Sequence, residues 1–319
     1  MRLALAGDTM LGRGVAEQLG EAAPASLFST EVVEAVRSAD LCIVNLECCI
    51  SARGAPTPGR VFHFRAPPAA TEALAHLGVD CVSLANNHAL DFGPEALLDT
   101  FEHLRGAGIG WVGAGVDEQG ARSPAVLAAN GERLRLVAFA DHPAEYAAGP
   151  DRPGIAFADL SAERPPDWLF AELREAGSEP VLVGAHWGPN MVAEPTPPVR
   201  RAAATLGSSG AALIAGHSAH VFHGVAGRVL FDLGDFIDDY RVDPVLRNDL
   251  GLLWFVELDR GEIVGLEALP LKLDYCHTRV ANGDDAAWIA RRFIDACAAL
   301  ATRVRERGGR LVVDLDPGA

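Results

Sequence analysis

Positive charge is scarce in this chain. Its 27 lysines and arginines face 43 aspartates and glutamates, a formal net charge of −16. Such a surface repels phosphate backbones, which argues against a general nucleic-acid binder, and it suits an anionic membrane surface no better. Long apolar runs are missing too, since no segment reaches the roughly 18 uncharged apolar residues of a membrane span. The first six residues run straight into Gly7-Asp8, which leaves no room for a signal-peptide apolar stretch of roughly 7–15 residues. The expectation is a cytoplasmic protein with neither nucleic acid nor membrane as partner. No Cys-x-x-Cys spacing occurs among Cys42, Cys48, Cys49, Cys81, Cys276 and Cys297. Four of them lie in or beside apolar runs, so buried free thiols are expected, with no disulfide framework and no zinc–thiolate site.

What the chain does have is apolar content, 49% against 22% charged, enough to fill a large core and to exclude global disorder. Short runs rich in Val, Leu, Ile and Ala cover residues 3–6, 41–46, 81–85, 136–140, 181–185, 211–215 and 229–233. Each has strand length and each stops at a polar turn. Helical patterns fall between them at 29–38, 69–77, 94–107, 166–176 and 198–207. This alternation predicts an α/β layered fold with buried strands. Residues 252–271 read as two strands around Asp259-Arg260-Gly261. A long amphipathic helix is expected at 285–305 and a last strand at 311–315. A length of 319 residues equals about two average domains. With no repeat, low-complexity tract or linker in sight, one domain over 1–319 is expected.

In α/β sheets ligands bind beyond the carboxyl ends of strands. The strand ends here carry Asp8, Glu47, Asn87, His88, His186, His217 and His220. Two carboxylates, an amide and four imidazoles suit one or two divalent cations such as manganese, zinc or iron. One such residue alone more often caps a helix or points to solvent; the recurrence at successive strand ends is what favours a metal. The segment from Asn86 to Gly93 is the most specific, because two amides and an imidazole closing a buried strand are costly without partners. Asp91 there reads equally as a helix start. Elsewhere two readings stand side by side. Phe62-His63-Phe64-Arg65 reads as an amphipathic strand or as a substrate contact through His63 and Arg65, Asp141-His142 equally as a polar loop or part of the site rim, and Asp232, Asp235, Asp238 and Asp239 as a solvated loop from which Asp235 alone faces the pocket. Cys276-His277 has no assigned role.

In order along the chain, GDTMLGR, NLECCIS, FHFRAPP, SLANNHALDFG, VGAG, HWG, GHSAH and VLFDLGDF resemble the bacterial CapA/PgsA poly-γ-glutamate capsule-synthesis family. The resemblance spans about residues 1–255, leaving C-terminal strands and a helix in 256–319. It implies the four-layer α/β/β/α sandwich of the calcineurin-like metallophosphoesterases, with a dinuclear centre. It further implies Asp8 as a ligand of one metal, Glu47 as a bridging carboxylate, Asn87 as the amide ligand of the second metal, and His88 as the adjacent catalytic histidine. His186 resembles the isolated histidine ligand, and His217 and His220 the final pair. Three features depart from the expected patterns. Met10 stands where the phosphoesterases usually have a second histidine ligand, the final pair is His-x-x-His as in the capsule family rather than His-x-His, and Asp235 stands where the capsule family more often has Asn. The expectation is a weakly held first metal or a single metal, with His217 and His220 not both required as ligands.

The function implied is a metal-dependent hydrolase, a phosphoesterase in which His88 protonates the leaving oxygen, Asp91 orients it, and Arg13 and Asn86 bind substrate. The substrate is a small phosphorylated or γ-glutamyl anion, which an acidic chain can accept once a metal supplies local positive charge. The alternatives are a part in poly-γ-glutamate capsule biosynthesis or γ-glutamyl amide processing, and a non-catalytic metal-stabilised scaffold, favoured by Met10.

Overall fold

The computed structural model describes residues 1–21, 24–162 and 164–315. The chain opens with β1 (Arg2–Thr9), α1 (Arg13–Glu21), α2 (Thr30–Arg37), β2 (Leu41–Leu46), the short β3 (Cys49–Ile50) and β4 (Arg65–Ala66), α3 (Ala70–Leu77), β5 (Cys81–Ser83), α4 (Gly93–Gly106) and β6 (Gly110–Val112). A second stretch follows with β7 (Ala114–Gly115), α5 (Glu118–Arg122), β8 (Ala125–Ala129), β9 (Glu132–Ala140), β10 (Gly154–Ile155), α6 (Asp167–Glu175), β11 (Val181–His186), α7 (Pro197–Ser208), β12 (Leu213–His217), β13 (Val225–Ala226) and β14 (Val229–Leu230). The chain then returns to its first sheet with β15 (Asp235–Ile237), β16 (Leu250–Asp259), β17 (Glu262–Asp274), β18 (His277–Val280), α8 (Gly283–Ala298), β19 (Val304–Arg307) and β20 (Arg310–Val313).

Two large sheets result. The first runs β19-β20-β17-β16-β1-β2-β5-β6, with β15 added to β1 and β18 to β17; the second runs β13-β14-β12-β11-β9-β8. Strand periodicity shows how they stack. Leu136 and Ala138 of β9, Leu182 of β11, and Leu213 and Ala215 of β12 join the core that also holds Leu3 and Leu5 of the first sheet. Their alternate neighbours Val137, Phe139, Val181, Val183 and Ile214 join Leu169, Phe170 and Leu173 of α6 and Val199 and Leu206 of α7 in a separate core. A period of two thus puts one face of the second sheet against the first sheet and the other under helices. Helices α2, α3 and α4 bring Val32, Val36, Leu74, Leu97 and Phe101 into the first core. The architecture is a four-layer α/β/β/α sandwich. No helix among the described residues is long and apolar enough to cross a membrane.

Local signals explain most element ends. Ser29 caps α2, its side chain accepting from the Val32 amide at 3.4 Å. Arg260 and Gly261, both with positive φ, close the β16–β17 hairpin at the predicted turn. The helix expected over 285–305 stops at Ala298. Ala301 adopts a left-handed φ of 60°, the Thr302 amide returns to the Cys297 carbonyl at 2.9 Å, and 304–307 is captured as a strand by pairing with 310–313 across Gly308-Gly309. The final strand accordingly starts at Arg310 and ends at Val313, and the run 229–233 is strand only over its first two residues. All six cysteines are free and buried.

Gly7 is the tightest point of the fold. A Cβ there would lie 1.8 Å from the Gly234 carbonyl oxygen, which also accepts the Asp8 amide at 2.9 Å. Gly7→Ala is expected to lose about 3 kcal/mol or more in urea unfolding, whereas Gly20→Ala, in open space within α1, is expected to gain about 0.5–1 kcal/mol. Equal midpoints for both variants would show that the Gly7–Gly234 approach does not constrain the fold.

Candidate metal centre

The carboxyl ends of both sheets meet at one place, and register explains why. Asp8 at the end of β1 is the partner of Asn45 on β2 and of Asp235 on β15, while His186 on β11 is the partner of His217 on β12. The first sheet delivers oxygen donors and the second delivers imidazoles. Asp8, Glu47, His220 and Asp235 each place a ligand atom so that all four lie within 4.8 Å of one another. His220 Nδ1 is 2.8 Å from Asp235 Oδ1, 3.4 Å from Asp8 Oδ2 and 4.0 Å from Glu47 Oε2. His217 Nδ1 pairs with Asp8 Oδ1 at 3.1 Å. The loop that carries His220 is bent by left-handed residues, Ser218 at φ 109° and His220 at φ 60°. Such conformations cost roughly 1–3 kcal/mol each. The Ser218 hydroxyl bond to Gly188 O and the Ala219 amide bond to Asp232 Oδ2, both 2.8 Å, hold them in place.

Two neighbours were not foreseen from sequence. Asn45 donates to Asp8 Oδ1 at 2.7 Å, sits 3.5 Å from His186 Nδ1, and accepts from Asn86 Nδ2 at 3.1 Å. It escaped notice because it lies inside an apolar run. Tyr240 directs its hydroxyl at Glu47 Oε2, 3.5 Å away, and meets the His220 ring edge to face. Asn86, expected to touch substrate, is fully buried. Its amide binds Asn45 and the Leu46 carbonyl, and its oxygen accepts the His88 amide, so it lies in a polar chain beneath the site. Met10 is turned into the core, its sulfur accepting the Gly12 amide at 3.0 Å. The acidic loop differs from expectation as well, for all four carboxylates are buried. Asp232 accepts the Ala219 and Gly234 amides, Asp238 the Tyr240 amide and Asp239 the Gly14 amide, which makes them backbone clamps.

Beside this cluster is a cavity of about 350 Å³, lined by Arg13, Phe64, His88, His220, Tyr240 and Arg241, among others. His88 Nδ1 is bonded to Asp91 Oδ2 at 2.6 Å, and Phe64 packs on the His88 ring with centroids 4.0 Å apart. Asp91 also accepts from the Phe64 amide and the Tyr146 hydroxyl. Arg13 borders the cavity with its charge matched by Asp239 at 3.0 Å. Asp141 and His142 pair beside His186, with the His142 and His186 rings 5.4 Å apart.

The electrostatics are those of a site built around positive charge. Burial, then the nearby Asp8, pushes the Glu47 carboxyl well above its ordinary range. Burial, then Asp238 and Asp8, does the same to Asp235. Burial would also raise Asp8, but its hydrogen bond to His217 and the charges of His217, His186 and His220 outweigh it and hold the group low. Burial drives His186 well below its usual value against the pull of Asp8. For His220 burial is outweighed by Glu47 and Asp8, so its pKa rises. Asp8 Oδ2, Glu47 Oε1, Asn87 Oδ1, His186 Nε2 and Asp235 Oδ2 are buried with no hydrogen-bond partner. Native proteins rarely leave buried polar atoms so. Mixed oxygen and imidazole donors with spare lone pairs fit a divalent cation.

Fold and donor set define the class as a four-layer α/β/β/α sandwich with a buried carboxylate–imidazole pocket at its strand ends. The family model for the bacterial capsule synthesis protein PGA_cap matches residues 2–240, and the chain belongs to that family. It is 32% identical over 280 residues to a probable polyglutamine synthesis accessory protein of Mycobacterium tuberculosis, covering 80% of this chain and 73% of the relative. It is 25% identical over 287 residues to the capsule biosynthesis protein CapA of Bacillus anthracis, covering 86% of this chain and 67% of that protein. A hypothetical protein from Thermus thermophilus shares the fold, with a TM-score of 0.51 and 18% identity over 85% of this chain and 99% of that one.

Because the Glu47 and Asp235 carboxyls are both pushed upward in pKa, cation binding there is coupled to proton release. Manganese affinity, measured calorimetrically, is therefore expected to rise with pH, and the heat to differ between buffers of unequal ionisation enthalpy. Asp235→Asn should weaken binding by about tenfold or more and release fewer protons. A pH-independent affinity would remove these carboxylates from the ligand set.

Proposed function

We propose that the protein is a metal-dependent hydrolase acting on small phosphoesters. The observation that carries this reading is the buried convergence of Asp8, Glu47, His220 and Asp235, with unsatisfied oxygens, at the edge of a cavity that also receives His88. A divalent cation held there supplies a water nucleophile near neutral pH and positive charge for the developing oxyanion. In this reading Asp8, Glu47, Asp235 and His220 hold the first cation, and Asp235 provides the donor that Met10 lacks. Asn87 Oδ1 and His186 Nε2 are the free donors for a second, and His217 steadies Asp8. Asn45 and Asn86 fix the orientation of Asp8 from below.

His88 is the general acid. Its Nδ1 is taken by Asp91, which leaves Nε2 without a protein partner among the described residues. Burial lowers the His88 pKa against the pull of Asp91, and the Asp91 bond fixes the ring through Nδ1 for proton transfer at Nε2. Arg13 and Arg241 line the cavity and favour an anionic substrate. The C-terminal strands β16, β17 and β20 extend the sheet that carries Asp8, which supports one functional unit over the described chain.

A second reading rests on the relatives' names, one for polyglutamine synthesis and one for capsule biosynthesis. It assigns the same centre to a γ-glutamyl amide. A panel of phosphomonoesters, phosphodiesters and γ-glutamyl amides assayed with manganese separates the two, and turnover of the amides alone would replace the first reading by the second. His88→Ala is expected to lower kcat by about 100-fold or more while bound metal, read by elemental analysis, stays at the wild-type level. Parallel loss of metal and turnover would move His88 from acid to ligand.

A further inference from the structure

A second cavity, of about 470 Å³, is walled by α8, the start of α7 and the segment around Pro195. It shares no lining residue with the cavity at His88. Its size falls within the roughly 300–1,000 Å³ of small-molecule sites. Arg200, Arg291 and Arg292 line it together with Glu194 and Asp295, an excess of cations in a chain of net charge −16.

Arg292 is the informative residue. It is half-buried, and its guanidinium carbon lies 5.6 Å from the Trp288 ring centroid and 5.9 Å from that of Phe222. Its one hydrogen bond among the described residues is a long one, 3.4 Å, to the Ala193 carbonyl. Neither Arg292 nor Arg291 forms an ion pair among those residues, whereas Arg200 is 3.7 Å from Glu194. Burial lowers the Arg292 pKa against a weak pull from Glu194. Guanidinium groups have five donors in a rigid fork suited to carboxylate and phosphate oxygens. A partly desolvated one with most donors idle is a cost that an incoming anion offsets. The rest of the wall is apolar, with Pro195, Trp288 and Leu300 facing the same space.

We propose that this cavity is a second binding site for a small anionic molecule, its carboxylate or phosphate head held by Arg292 and Arg291 and its apolar body resting on Trp288 and Leu300. The site is independent of the hydrolase reading. Calorimetry on the full chain tests it with three probes of one shape: benzoate, phenylphosphonate and uncharged benzamide. At least one anionic probe is expected to bind and benzamide to bind far more weakly; the better of the two identifies the head group. Arg292→Gln should weaken binding by about tenfold or more. Ala299→Trp, which fills the cavity from an exposed helix end, should abolish it, and His88→Ala should leave it unchanged. Circular dichroism verifies the fold of each variant, and the filling variant decides the outcome if the arginine variant unfolds. Equal binding of benzamide, absence of binding by both anions, or binding that survives the cavity-filling variant but is lost in His88→Ala would each overturn the proposal.

Discussion

Three carboxylates held together out of water are the constraint around which this structure is organised. Asp8, Glu47 and Asp235 are fully buried and present oxygens within 4.8 Å of each other and of His220. Carboxyls at such separations disfavour one another's charged form in a low-dielectric interior, which adds to burial in pushing the pKa values of Glu47 and Asp235 upward. The protein answers with imidazoles from the opposite sheet, with the Asn45 amide on Asp8, and with a Tyr240 hydroxyl aimed at Glu47. These supply partial positive charge from every side, yet oxygens of all three carboxylates are left over. A divalent cation would satisfy them together.

The backbone serves the same end. Parallel strands stop at the same level, so their last side chains fall in one layer. The Gly7–Gly234 approach brings β1 against the turn before β15 and sets Asp8 opposite Asp235. Left-handed Ser218 and His220 turn an imidazole back toward the first sheet. Each is a locally unfavourable choice held by packing and hydrogen bonds around it, as expected where geometry serves a site.

Much of this was legible beforehand. Apolar runs ending in Asp, Glu, Asn or His marked the strand ends, because their recurrence at successive ends exceeds what caps and solvent-facing groups explain. The α/β layering followed from the alternation of two periods. Asn45 was hidden because an amide inside Leu41–Leu46 looks like a break in hydrophobicity, and only register with Asp8 gives it meaning. Asp232, Asp238 and Asp239 read as solvent-facing because clustered carboxylates usually are; what reverses this is a supply of backbone amides that no pattern displays. Asn86 lies in a polar layer beneath the site because its side chain bonds to Asn45, the Leu46 carbonyl and the His88 amide, partners that no sequence pattern displays. The overlong C-terminal helix has a simpler cause. Its amphipathic pattern continues past Ala298, while a glycine pair at 308–309 lets the following residues fold back as a hairpin.

The donors come from two different sheets, and this has a mechanical consequence. An ion at the junction would rivet the two halves of the sandwich, and its grip would depend on how far apart those halves stand. Substitutions deep in either hydrophobic layer, remote from any ligand, would then be read out as changes in how tightly the rivet holds. Packing in this protein would act as a tuning screw on its chemistry.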